Sequence, residues 1–277
     1  MYDQEEIKKI YLDMALKLDE VCRRHGLRYY LAFGSCIGAV RHKGFIPWDH
    51  DLDVLMPVRD AYKLIRYQKE FGERYFVQCK KTDPEYGSIA FKIRDSETAL
   101  IWPGYEKMKF NQGIGMDIYP FYEAPRTKLG LLINIWRSHI YRALAIGKNP
   151  VWSGGMEEKI TRIVQKLYPG KRGEKKMHKI LHQLARVKGR EILDYYGLDV
   201  TLCSAITYPK EWFGEPKRMP FEGHMLNVPT EPEKYLAKRY GSDFMTPPPP
   251  EKQKNELDYP GLIVDTRKSY REYLSDV

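Results

Sequence analysis

Apolar residues recur at helical spacing over residues 4–24, where Ile7, Ile10, Tyr11, Met14, Leu18 and Val21 fall on one face, and Gly26 suits a left-handed cap. The period then shortens. Residues 28–33 predict a strand that turns sharply at Gly34-Ser35, with one or two helical turns over Ile37 to Arg41. Leu52, Val54 and Met56 alternate with Asp51 and Asp53, the period of a strand over residues 51–56. Pro57 is placed to open a helix running to about Glu70. Further strands are expected over 75–79, 88–94 and 115–120, and Lys92 and Arg94 share a face of the second. Residues 129–146 predict a long helix interrupted by Arg137, His139 and Arg142, too polar to span a bilayer. A core helix packed on the sheet is favoured over an interfacial one. Residues 156–190 read as two basic helices parted by Pro169-Gly170. Strands follow over 205–208 and 225–228, and Thr230-Glu-Pro-Glu233 has the form of a capping box opening a helix to Tyr240. Pro247 to Pro250 reads as an extended wrapping segment, and the 27 residues after it are too few for a further domain.

Chemistry enters with the acids. Asp49, Asp51 and Asp53 are spaced two apart, so an extended chain turns all three to one side and leaves His50 on the other. Carboxylates forced together repel unless a cation or protons intervene, and hard divalent cations prefer oxygen ligands, so the pattern points to Mg²⁺ or Mn²⁺. Asp117 stands between Met116 and Ile118 on a later strand. A turn or cap is its ordinary use, but an acid among apolar neighbours is better explained by a shared metal. A glycine turn before a helix start presents free N–H groups to phosphate, which gives Gly34 and Ser35 a candidate role. Arg41, His42, Lys43, Lys92 and Arg94 are the cations available for phosphate charge; each could be an ordinary surface cation, and Lys92 and Arg94 are favoured because they share a strand face.

Composition narrows the class. The chain has 277 residues, 43% hydrophobic and 30% charged, which predicts one domain with elaborations, spanning 1–277. Its charge of +9 is uneven: residues 1–124 carry 19 basic and 19 acidic groups, 125–190 carry 16 and 3, and 191–277 carry 11 and 15. These divisions mark a neutral first part, a basic helical insertion and C-terminal elements. The excess over 125–190 implies an anionic partner or a solvated helical face. Cys22, Cys36, Cys79 and Cys203 form no CxxC pair, as expected of free thiols in a reducing cytosol. Residues 1–20 lack the apolar core of a secretory signal.

An apolar residue plus Gly-Ser, an alternating acid pair and a third acid on a later strand resemble the nucleotidyltransferase superfamily associated with DNA polymerase β. More specifically, Gly34-Ser35, the run from Gly38 to Trp48-Asp49, Asp51-Leu-Asp53, Lys92-Ile-Arg94, Met116-Asp-Ile-Tyr-Pro120 and Pro220-Phe-Glu-Gly223 resemble the LicD family, which includes bacterial phosphocholine transferases and, more remotely, fukutin and fukutin-related protein. The likeness covers roughly residues 5–250. His50 departs from it, standing where bacterial members often carry aspartate, and no histidine follows Pro250. The resemblance implies an α+β fold, with a nucleotidyltransferase-type mixed sheet, flanking helices and the basic helical insertion. It implies a phosphotransferase in which Asp51, Asp53 and Asp117 hold Mg²⁺ or Mn²⁺, and Asp49 is a further ligand or the base. Gly34, Ser35, Arg41, His42, Lys43, Lys92, Arg94, Trp48 and Glu222 would bind substrate. The donor it implies is CDP-choline or another CDP-alcohol, with Trp48, Trp102, Tyr105 and Tyr119 candidates to cage a choline cation. The acceptor is a cell-surface glycan, lipid-linked or free, and the expected location is cytoplasmic with peripheral contact at the inner face of an anionic membrane through 125–190. Nucleic acid is not an expected partner. Two alternatives remain: a nucleotidyltransferase that moves a nucleoside monophosphate from an NTP, and a non-catalytic module that binds membrane or nucleic acid.

Overall fold

The computed structural model describes residues 3–146, 156–193, 206–253 and 256–274. Helix α1 (Gln4–His25) starts where Asp3 accepts the Glu5 N–H and ends at left-handed Gly26, whose N–H reaches the Cys22 carbonyl. Its predicted apolar face is buried against a mixed sheet. The sheet's main path runs β1 (Tyr30–Leu31), β2 (Asp53–Pro57), β6 (Ile114–Glu123), β4 (Phe91–Asp95), β3 (Tyr75–Gln78). Only the central β2–β6 pair is parallel; the other described pairings are antiparallel. The fold is α+β, as expected. Leu52, Val54 and Met56 are buried, as their alternation predicts.

Between β1 and β2 lies α2 (Phe33–Ile37), which widens into a π-helical turn over Gly38–His42. Helix α3 (Val58–Leu64) follows β2 and tightens into a 3₁₀ segment, Ile65–Phe71. The far end of β6 pairs with β7 (Glu191–Leu193), which pairs with β8 (Thr207–Pro209). Two short pairs flank the sheet: β5 (Ala99–Ile101) with β11 (Ile263–Asp265), and the hairpin β9 (Lys217–Phe221) with β10 (His224–Val228).

The insertion contributes α4 (Lys128–Ala145), α5 (Met156–Leu167) and α6 (Lys171–Leu184), so both predicted basic helices form. Tyr141 and Ala145 of α4 join Ile180 and Leu184 of α6 and Val58 of α3 in a second apolar cluster beside the main core. Helix α4 buries one side, yet Leu129, Ile133 and Trp136 remain exposed. No helix among the described residues is long and apolar enough to cross a membrane.

Four expectations change. Gly34 and Ser35 lie inside α2, which starts at Phe33, and not in a turn before a helix. Residues 43–52 are not strand, so β2 begins only at Asp53. Helix α7 (Pro232–Tyr240) starts without a capping box: Thr230 instead gives its hydroxyl proton to the Glu215 carbonyl. Cys203 and the first residue of the strand predicted over 205–208 lie outside the described residues, whereas Cys22, Cys36 and Cys79 are buried free thiols.

Candidate active site

The parallel and antiparallel registers meet at one row. Asp53 on β2 is opposite Asp117 on β6, and Asp117 is opposite Lys92 on β4. The Lys92 ammonium lies 2.5 Å from Asp117 Oδ2. One row along, Arg94 faces Gly115. A methyl group on Gly115 would stand 2.6 Å from Arg94 Cδ, so the missing side chain is what lets the guanidinium lie across β6. There Nε donates to Gln78 Oε1 at 2.8 Å and Nη1 to the Gly113 carbonyl at 2.7 Å. Arg94 is thus a buried, preorganised cation.

The Gly-Ser pair sets Asp49 and Asp53. A Cβ on Gly34 would fall 2.4 Å from Asp49 Oδ2, so only glycine admits that carboxylate. Ser35 Oγ accepts the Asp53 N–H at 2.8 Å, fixing the first residue of β2. Both residues position the acids from behind. Residues 46–49 form a turn closed by the Asp49 N–H on the Ile46 carbonyl, with Pro47 in the second position. This turn breaks the extended chain and swings His50 into the cavity wall, against the expectation that it points away.

The cavity itself has a volume of about 350 Å³. Asp49, Asp51, Asp117, Lys92 and Arg94 line it, with Trp48, Trp102, Tyr105 and Tyr119 as aromatic walls. All four suggested cage aromatics therefore converge. Tyr11, His50, Tyr86 and Gln112 also line it, and none was singled out from the sequence as a site residue. Tyr11 sits on the core face of α1, where a tyrosine reads as packing; only the folded chain brings its hydroxyl to the acids.

Electrostatics follow the crowding. Burial, then the Asp51 and Asp117 charges, push the Asp53 carboxyl well above the usual carboxylate range, with Lys92 opposing. Burial also raises Asp49, while hydrogen bonds from Asp51 pull it back. The Tyr11 phenol is pushed up by burial and then by the same acids. Burial lowers His50, and both its ring nitrogens lack a hydrogen-bond partner among the described residues.

Other candidates lie outside the wall. Arg41 Nη1 donates to the Phe244 carbonyl at 2.8 Å, and Nε to His42 Nε2 at 2.9 Å; the Arg41 guanidinium stands 6.0 Å from the Trp48 ring centre. Arg41, His42 and Lys43 do not line the cavity, and neither does Glu222. Glu222 instead accepts the Phe45 N–H at 2.9 Å and donates its own N–H to the Lys43 carbonyl at 2.9 Å, tethering the loop that carries Asp49.

The donor chemistry fits a hard cation: crowded carboxylate oxygens, one of them costly to ionise without a counter-charge. Among the described residues no three His, Cys, Asp or Glu side chains already form a metal cluster. Mg²⁺ commonly takes only one or two carboxylates and completes its shell with water and substrate phosphate, which this open arrangement allows.

A row of acids with a paired lysine, beside an aromatic-walled cavity on a mixed sheet, gives an α+β protein with a charged candidate site. Residues 26–142 match the family model described as LicD/FKTN/FKRP, nucleotidyltransferase domain. Over 245 residues the chain is 30% identical to the lipopolysaccharide cholinephosphotransferase LicD of Haemophilus influenzae, covering 84% of this chain and 88% of that protein. It is 30% identical over 119 residues to the ribitol 5-phosphate transferase FKRP of Mus musculus, covering 41% of this chain and 20% of the mouse protein. The chain belongs to the LicD family and is an enzyme of the LicD type.

Proposed function

We propose that the protein moves phosphocholine, or a similar phospho-alcohol, from a CDP-linked donor to a hydroxyl of a cell-surface glycan precursor (of teichoic acid, lipopolysaccharide or capsule) and releases CMP. The observation that carries this reading is the Asp117–Lys92 pair in the wall of an aromatic-lined cavity, with Asp53 opposite Asp117 on the neighbouring strand and outside that wall. Asp51, Asp53 and Asp117 would hold Mg²⁺ or Mn²⁺, which supplies charge neutralisation on the diphosphate when bound. Lys92 and Arg94 take the remaining phosphate charge, and Arg94 arrives already fixed by Gln78 and Gly113. Asp49, raised by burial and held against Gly34, accepts the proton of the acceptor hydroxyl. The acceptor oxygen bonds to the phosphorus bearing the alcohol, the bond to the bridging oxygen breaks, and CMP leaves with that electron pair. Trp48, Trp102, Tyr105 and Tyr119 surround the alcohol, a setting that favours a quaternary ammonium.

Product analysis tests it. Incubation with CDP-choline or CDP-ribitol, Mg²⁺ and a glycan acceptor should release CMP, and EDTA should stop the release. Pyrophosphate released from an NTP, with no CMP from either CDP-alcohol, would establish nucleotidyl transfer instead.

A further inference from the structure

A second and larger cavity, about 780 Å³, opens between α3 and α6. It lies beyond Pro57, four residue steps along β2 from Asp53, or roughly 13 Å at the rise of a strand. Its rim carries Arg59, Lys63 and Arg66 from one side and His178, Lys179 and His182 from the other. No acidic side chain lines it. Lys63 pairs with Asp60 at 3.0 Å and Arg59 donates to the Ala185 carbonyl at 3.3 Å. Arg66, His178, Lys179 and His182 make no hydrogen bond or ion pair with a described residue, and all four are exposed. Below the rim the floor is apolar: Val58, Tyr62, Leu181 and Ala185.

Such a groove is poorly matched to a small hydrophilic anion, which leaves the floor unused, or to a neutral lipid, which leaves the cations unused. We propose that it binds the phosphate end of an anionic amphiphile: a lipid whose mono- or diphosphate head meets the rim while the first part of its chain lies along the floor. A separate feature of the same insertion agrees. On α4, Leu129, Ile133 and Trp136 repeat at helical spacing with exposures of 67, 43 and 63%. On α5, Ile160, Ile163 and Leu167 repeat the pattern, with Lys159, Arg162 and Lys166 exposed beside them. Apolar stripes edged by cations fit the boundary between headgroups and acyl chains. Identifying this amphiphile as the carrier of the glycan acceptor rests on the function proposed above; the binding itself does not.

The test is calorimetric titration of the full chain, in EDTA, with farnesyl diphosphate, pyrophosphate and farnesol. Farnesyl diphosphate should bind at least tenfold more tightly than either of the others. Combining R66E, K179E and H182E should weaken it at least tenfold, with CMP release to a soluble acceptor unchanged. D53N should leave farnesyl diphosphate binding intact. Equal affinity for pyrophosphate and farnesyl diphosphate would overturn the proposal. So would affinity untouched by the triple variant, or lost in D53N, which would put the diphosphate in the acidic cavity. Retained farnesyl diphosphate binding with no CMP release would remove the catalytic reading alone.

Discussion

Asp53 is where the crowding of acids bears on stability. Its carboxyl is raised by burial and by Asp51 and Asp117. A carboxyl raised in the folded state binds its proton more tightly folded than unfolded. Metal-free stability therefore falls as pH rises from the ordinary carboxylate value through the raised one. Asn keeps the shape and removes the charge. D53N should thus melt roughly 2 °C or more above wild type in EDTA at pH 7–8, the gap closing near pH 4, while losing at least a hundredfold in turnover. Differential scanning calorimetry and CMP release check the two halves. A D53N protein that is less stable at neutral pH would show that Lys92 already compensates the row. The alternation of acids was readable from the sequence because spacing survives any tertiary arrangement. Their register was not: that Asp53 meets Asp117 rather than Met116 or Ile118 depends on how β2 pairs with β6.

At the scale of elements, loop 43–52 is held at several points and its regularity misleads. Pro47 starts a turn, so the period of two over Asp49, Asp51 and Asp53 does not come from one strand. The β9–β10 hairpin supplies an anchor through a two-residue turn in which Glu222 and Gly223 both have positive φ, 48° and 76°. Asn or Gly is the usual residue at the first of these positions, and the glutamate's carboxylate there accepts the Phe45 N–H. A long-range hydrogen bond of this kind leaves no local pattern; the substrate role of Glu222 comes from the resemblance of Pro220-Phe-Glu-Gly223 alone. Its carboxylate also passes so close to Gly44 that a Cβ there would stand 2.1 Å from Oε1. E222A should lower kcat about tenfold with KM for the donor nearly unchanged, and cost about 1 kcal/mol of stability. E222Q, which keeps a carbonyl acceptor, should recover most of the rate. A large rise in donor KM in both variants would instead return Glu222 to the substrate side.

Across the whole molecule, charge and chemistry are segregated. Residues 1–124 contain the acid row and carry no net charge, whereas residues 125–190 carry 16 basic against 3 acidic groups. Helix α6 of that insertion meets Val58 of α3, immediately after β2, so the basic surface is joined to the sheet that carries the acid row through the second apolar cluster. Composition revealed the basic segment, and helical periodicity revealed its helices; what neither could reveal is that α3 and the 3₁₀ segment after it, from the neutral segment, contribute Arg59, Lys63 and Arg66, half of the basic side chains on the groove's rim. In the proposed reaction a small donor in the acidic cavity would meet local groups, while a long phosphate-bearing acceptor would feel the field of the insertion. Salt screens such long-range attraction over about 10 Å at 0.1 M. Raising NaCl from 50 to 300 mM should therefore lower kcat/KM for a phosphate-bearing acceptor roughly tenfold, with less than a twofold change for the donor at saturating acceptor. In the R66E, K179E and H182E combination the acceptor's salt dependence should flatten, because the charges being screened are gone. Equal salt sensitivity for donor and acceptor would mean that screening acts at the acid row itself, and that the basic insertion plays no part in acceptor capture.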